Sequence, residues 1–240
     1  NSSIFPSLPI RRILVPLQLR KNTISLANTK AKKVLIMNSK GGVGKSTVVI
    51  GIISQLLNQG YKVALIDFDK QKSSHDWAIN IIPGFVSAYT PSFYSLSELT
   101  LKIRVPKDTD FVIVDSPSNF TQGEMARYIH FMDGVIIPMA PSPIDLHASL
   151  PFIKSLLDSK VLSRKKISLS FIINRCYSHD ERLRKVHHLL SHFRHYPTIG
   201  VVTEDRCYQD AFYNRTVLTG THDKNTWDKI VNWIQRLPGK

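Results

Sequence analysis

The stretch "SKGGVGKST", residues 39–47, decides the fold. It is entered from "KVLIMNS" (33–39), which reads as a buried strand, and it leads into a helical-period segment running to about Asn58, where Gly60 stops the helix. A strand, a glycine-rich turn and a helix, in that order, make a phosphate-binding loop. Gly41, Gly42 and Gly44 carry no Cβ, so the backbone through Val43 can curl its N–H groups toward an anion. The helix that follows adds its positive N-terminal end. Lys45 is placed to reach β- and γ-phosphates, the Ser46 hydroxyl to bind Mg²⁺, and the Thr47 hydroxyl to extend toward an α-phosphate. At ordinary residue usage, K-G-G-x-G-K-[ST] arises by chance in roughly one chain in 10⁴. Two features are unusual. Ser39 stands where a strict loop has glycine, and Lys40 is a second lysine where one suffices.

Outward from the loop, short apolar runs alternate with helical segments. "KVALIDFD" (62–69), "FVSAY" (85–89), "DFVIVDSP" (110–117), "GVIIPMA" (134–140), "ISLSFIINR" (167–175) and "TIGVV" (198–202) read as strands. Helices are expected near 73–80, 95–103, 122–132, 145–159, 180–193, 205–214 and 224–236, with Pro151 a kink or break in the fourth of these. Strand alternating with helix over such a length implies an α/β, doubly wound, mostly parallel sheet with helices on both faces. Ligands of such folds sit outside the carboxyl ends of the strands. Asp67 and Asp69 close one strand and Asp115 closes another, each a hydrophobic run ending in a carboxylate. Such carboxylates suit a metal shell, directly or through water. Spacing alone does not divide metal contact from water positioning between Asp67 and Asp69.

The chain has 240 residues, enough for one large α/β domain, with 32 Lys+Arg against 18 Asp+Glu and a formal net charge of +14. That balance favours an acidic partner, nucleic acid or an anionic surface. About half of the excess lies in residues 1–33, where Arg11, Arg12, Arg20, Lys21, Lys30, Lys32 and Lys33 meet no acid. Residues 1–32 therefore read as a basic N-terminal extension, as a flexible arm or a plain tail rather than a targeting peptide, and 33–240 as the catalytic-type domain. No run of about eighteen apolar residues occurs, so no membrane span is expected. Cys176 and Cys207 form no metal cluster or disulfide framework, and a reducing cytosol is the plain expectation. His188 and His192, at i, i+4, lack the glutamate a zinc protease needs and read as a polar helix face.

These residues together resemble the ParA/MinD class of P-loop ATPases, whose deviant loop K-G-G-x-G-K-[ST] is matched by Lys40 to Ser46. The likeness extends over about 33–237. "LIDFDKQKSSHDWA" is similar to the family's D-x-D-P-Q-G-S segment, with Lys70 in place of proline. "VIVDSPSN" is similar to D-x-P-P, with Ser118 at the second proline, and "PMAPSPIDLHA" to the P-S-P-x-D loop of the ParA branch. The resemblance implies ATP and Mg²⁺ as cofactors and a homodimer formed on ATP. It implies that Lys40 reaches the partner's nucleotide, that Asp69 is catalytic with Lys40 and Lys45, and that Asp67 lies nearer the metal with Ser46 and Asp115. It places adenine against Asn174 in "FIINR", with Thr203 to Asp205 completing the base pocket. It further implies nonspecific DNA as ligand of the dimer, a ParB-like or other adaptor that stimulates hydrolysis, and a cytoplasmic, nucleoid-associated partition or positioning role. Candidate DNA contacts are Arg164, Lys165 and Lys166; Arg182, Arg184 and Lys185; Arg206 and Arg215; and Lys224, Lys229 and Arg236. A MinD-like membrane role would need the stripe Trp227, Ile230, Val231, Ile234 and Leu237 to lie on lipid; packing on the domain's own core is the preferred expectation. A metabolic ATP-dependent enzyme of the same fold is the other alternative.

Overall fold

The computed structural model describes residues 22–88, 100–177 and 181–239. A seven-stranded sheet runs β4-β3-β6-β2-β7-β8-β9 and every pairing in it is parallel. Its strands are β2 (Lys32–Ile36), β3 (Val63–Asp67), β4 (Val86–Ala88), β6 (Phe111–Asp115), β7 (Gly134–Met139), β8 (Ser168–Cys176) and β9 (Thr198–Thr203). The helices are α1 (Lys45–Asn58), α2 (Ser73–Ala78), α3 (Gln122–Ile129), α4 (Pro143–Asp158), α5 (Val161–Lys165), α6 (Glu181–Leu190), α7 (Arg206–Asn214) and α8 (Lys224–Gln235).

The strands are buried on both faces, which is why they read as continuous apolar runs rather than as alternations. Successive residues nevertheless feed different cores. Leu35, Val112, Val114, Val135 and Ile137 pack with Met125 and Ile129 of α3 and Leu146, Ile153 and Leu156 of α4. Val34, Ile36, Ile113, Ile136 and Ile172 pack on the other side with α1 and with Trp227, Ile230, Val231 and Ile234 of α8. The period-2 geometry of the strand sends neighbours to opposite faces, so one sheet carries two helical layers.

The apolar stripe of α8 is thus consumed by the core, as preferred above over a membrane role. Trp227 is the largest of these buried side chains. A Cβ at Gly51 of α1 would lie 2.2 Å from its ring, so only glycine lets α1 approach α8 this closely. Among the described residues no helix is long and apolar enough to cross a membrane.

Three details depart from the sequence reading, and a fourth expectation falls largely outside the described residues. A small antiparallel sheet pairs β1 (Thr23–Ser25) with β5 (Arg104–Pro106). Its first strand, with buried Leu26 and Ala31 behind it, lies in the stretch read as the N-terminal extension. The helix α5 was not anticipated. Pro151 does not break α4, which runs through it with the proline on the exposed side. The helix expected at 95–103 lies mostly outside the described residues; only 100–102 are seen, in helical conformation.

Candidate nucleotide site

The loop leaves β2, the central strand flanked by β6 and β7, and enters α1 at Lys45. Gly42 and Gly44 both adopt positive φ (78° and 84°), and Gly44 is the N-cap of α1. Nothing lies within 4 Å of a Cβ position at Gly41 or Gly42, so the bend is open to a ligand rather than packed against protein. Val43 is buried beneath it. Gly44, Ser46, Thr47, Asn174, Thr203 and Asp205 line one cavity of about 630 Å³, a size suited to a nucleotide. Gly44, Ser46 and Thr47 of the loop are therefore brought together with the sequence-predicted base residues Asn174, Thr203 and Asp205.

The two lysines of the loop are in opposite situations. Lys45 is buried, and its Nζ donates to Ser118 Oγ at 2.8 Å. Burial pulls its ammonium below the ordinary range, while Asp115 and Asp69 pull it up. The serine that replaces the family-like second proline is thus its hydrogen-bond partner. Lys40 stands outside. Its side chain is 44% exposed and pairs with Asp145 of α4 across 3.6 Å. Its backbone is fixed, because Lys40 N donates to Asn38 Oδ1 (2.9 Å) and the buried Asn38 is held by Pro138 O and Ser149 Oγ. The P-S-P-x-D segment supplies Asp145, a contact the sequence reading did not assign.

The acidic residues also separate. Asp67 and Asp115 are register partners on adjacent strands. Asp67 is fully buried and accepts Asp69 N (2.8 Å) on one oxygen and His75 N (2.9 Å) on the other, so it shapes the turn that presents Asp69. Burial raises its pKa against those two N–H donors. Asp69 is half-buried and accepts the N–H of Gln71. Asp115 accepts Ser74 Oγ–H at 2.5 Å on Oδ2, while its buried Oδ1 has no hydrogen-bond partner. Burial, then the neighbouring Asp67, push its carboxyl up to about 7.

That shift has a direction. A carboxyl that binds its proton more tightly folded than unfolded supports the fold at low pH. It withdraws that support as the pH climbs from the ordinary carboxylate range to about 7. Asp115→Asn should therefore melt higher than the parent by roughly 5 °C or more at pH 8 in the absence of ligand, and close to the parent at pH 4. Scanning calorimetry at the two pH values checks it, and equal differences at both would contradict it.

The orphaned Asp115 Oδ1, the Ser46 hydroxyl and the glycine cradle fit a nucleotide phosphate chain with Mg²⁺. Among the described residues no cluster of three or more His, Cys, Asp or Glu forms a metal cage. Magnesium asks for no such cage, since it is commonly held by one or two protein oxygens plus substrate phosphates. Asn174 Nδ2 donates to Val43 O and Gly44 O (3.2 and 3.3 Å), and its buried Oδ1 is unpartnered. Thr203 donates both N–H and Oγ1–H to Asp223, and Asp205 caps α7 through Cys207 N.

The profile of the CobQ/CobB/MinD/ParA nucleotide binding domain matches residues 34–216. The chain is 30% identical over 153 residues to the maintenance of carboxysome distribution protein A of Halothiobacillus neapolitanus, covering 62% of this chain and 69% of that one. It spans about half the length of the next two curated relatives. An ATP complex of a Cyanothece McdA variant superposes with a TM-score of 0.65 at 18% identity, over 88% of this chain and 99% of that one. A Borrelia burgdorferi plasmid partition protein bound to AMPPNP does so at 0.63 and 18%, over 86% and 100%.

Proposed function

This chain belongs to the CobQ/CobB/MinD/ParA nucleotide-binding family, and from that premise we propose that it is a positioning ATPase of the ParA type. It binds ATP with Mg²⁺, closes into a nucleotide-sandwich dimer, holds DNA without sequence preference as that dimer, and releases it on hydrolysis stimulated by an adaptor. The carrying observation is the division of labour between the loop lysines: Lys45 is buried beside Asp115, while Lys40 is exposed on a rigid backbone. A lysine that served only its own site would have no reason to stand outside it.

The roles follow from position. The N–H groups around Gly41, Gly42, Val43 and Gly44 and the end of α1 bind phosphate. Lys45 neutralises charge within the site, Ser46 and Asp115 would hold Mg²⁺, and Asp67 orders the turn that offers Asp69 to the attacking water. Magnesium, when bound, neutralises charge building on the transferred phosphoryl group. Lys40 supplies the complementary positive charge to the partner's site. Thr47, Asn174, Thr203 and Asp205 enclose the base and ribose side.

DNA as the scaffold is supported by the net charge of +14 and by exposed basic residues at Arg164 to Lys166, Arg184 and Lys185, and Lys229 and Arg236. Arg206 and Lys224 carry acidic neighbours, Asp210 and Asp228, and contribute less. The cargo class is supported by relatives named for carboxysome distribution and plasmid partition, so the transported body is a large assembly or a replicon.

The experiment is a gel shift of random duplex DNA with Asp69→Ala, which should bind ATP without turning it over. Retardation should need ATP rather than ADP and should weaken at least tenfold, by about one order of magnitude or more, between 50 and 200 mM salt. Nucleotide-independent retardation, or ATP-dependent sedimentation with anionic liposomes in place of DNA binding, would refute the DNA reading.

A further inference from the structure

The end of β8 touches the phosphate loop in a way that the nucleotide reading does not use. Three successive loop carbonyls are held from this one place. Arg175 Nη1 donates to Gly42 O at 3.2 Å, and Asn174 Nδ2 donates to Val43 O and Gly44 O. The Arg175 guanidinium is itself braced, its Nε donating to Glu204 Oε2 at 2.8 Å. Glu204 follows β9, and its N–H donates to Cys176 O, so the brace closes across the ends of two neighbouring strands.

The backbone is distorted to make this possible. The β8–β9 register shifts between Ile173 and Cys176, and Arg175 adopts φ 60°. A bulge re-aims side chains that a regular strand would send to the faces of the sheet. A left-handed arginine is costly and persists only where surrounding contacts over-determine it. Here those contacts are the loop on one side and Glu204 on the other.

The consequence follows from peptide geometry. In a trans peptide the C=O of one residue and the N–H of the next point to opposite sides of the plane. Holding the carbonyls of Gly42, Val43 and Gly44 toward β8 turns the N–H groups of Val43, Gly44 and Lys45 the other way. Those N–H groups make up an anion-binding concavity. We propose that Arg175, braced by Glu204, is a positioning residue that keeps the phosphate loop in its binding shape before nucleotide arrives, acting beside Asn174. The proposal rests on the reading of this loop as a nucleotide site. It adds that the loop is organised from β8 and β9 as well as by its own glycines.

The test compares Arg175→Ala, Arg175→Lys and Glu204→Gln with the parent protein. Charge-assisted hydrogen bonds are the stronger ones, so Arg175→Ala should weaken ADP and ATP binding by about tenfold and raise KM for ATP more than it lowers kcat. Arg175→Lys should recover only part, since a point charge cannot bridge Gly42 O and Glu204 as a planar fork does. Glu204→Gln should fall between them and the parent. Hydrogen exchange of nucleotide-free protein should show faster exchange in residues 41–46 of Arg175→Ala, with the melting temperature and exchange elsewhere unchanged. Unchanged loop exchange together with unchanged ADP affinity would overturn the proposal and leave the pair as an ordinary surface bridge. Should the parent itself fail to bind ADP, the nucleotide reading fails, and the exchange measurement on free protein still decides this one.

Discussion

Gly44→Ala should abolish nucleotide binding while leaving the domain folded. Two independent effects meet at this position. The residue sits at φ 84°, where an alanine is strained, at a cost of about 1–3 kcal/mol. A methyl group there would also lie 2.0 Å from Asn174 Nδ2. Asn174 has nowhere to retreat: it is fully buried, and the same nitrogen holds Val43 O and Gly44 O. The methyl therefore evicts the amide that fixes the loop and unwinds the left-handed cap of α1. The expected loss of ATP affinity is at least 100-fold, about 2.7 kcal/mol or more. Fluorescent-nucleotide titration measures it, and a thermal melt tests the fold, whose two cores lie away from this rim. Asn174→Ala alone separates the effects: it removes the amide without straining Gly44, so it should bind nucleotide less well than the parent and better than Gly44→Ala. Wild-type affinity in Gly44→Ala would contradict the geometry.

The loop, the order of strands and helices, and the carboxylates at strand ends were legible because each is a local signal. A β-strand buried on both faces writes itself as a run such as "VALID" or "FVIVD", and its chain direction puts the terminal Asp67 and Asp115 at the ligand edge. The contacts that tune the site were not local and left no such trace. Ser118 read as a departure from a proline motif, yet its hydroxyl receives Lys45. Asp145 lay inside a noted motif, but its partner Lys40 comes from another strand's loop. Arg175 reaches Gly42 only because of an irregularity in the β8–β9 pairing, which no periodicity announces. The β1–β5 sheet was missed for a different reason: three-residue strands are too short to show an alternation. Gly51 carries no local signal of its own, and its purpose appears only when Trp227 from α8 is laid against it.

Lys40→Ala should retain ATP binding and lose dimer-dependent hydrolysis. Among the described residues the side chain makes one ion pair, 3.6 Å to Asp145, with both groups substantially exposed. Pairs of that kind contribute about 0–1 kcal/mol, so the ammonium leaves it readily for a stronger partner such as a polyphosphate. The backbone beneath does not move with it, because Asn38 pins Lys40 N from a fully buried position. A fixed base with a releasable charge is what a group acting on a neighbouring subunit requires, and positive charges delivered in trans to a phosphoryl transfer are worth about 10³–10⁵ in rate. Specific activity of the parent should therefore rise with protein concentration, and Lys40→Ala should lose that rise. Asp145→Asn, which only frees the lysine, should keep it. The decisive arm mixes Lys40→Ala with Asp69→Ala before ATP is added. Each variant alone should be inactive, but in a mixed dimer the site of the Lys40→Ala chain would have its own Asp69 and would receive Lys40 from the other chain. Activity returning on mixing establishes action in trans. A mixture as inactive as its components would place Lys40 in its own site and remove the reason for a sandwich dimer.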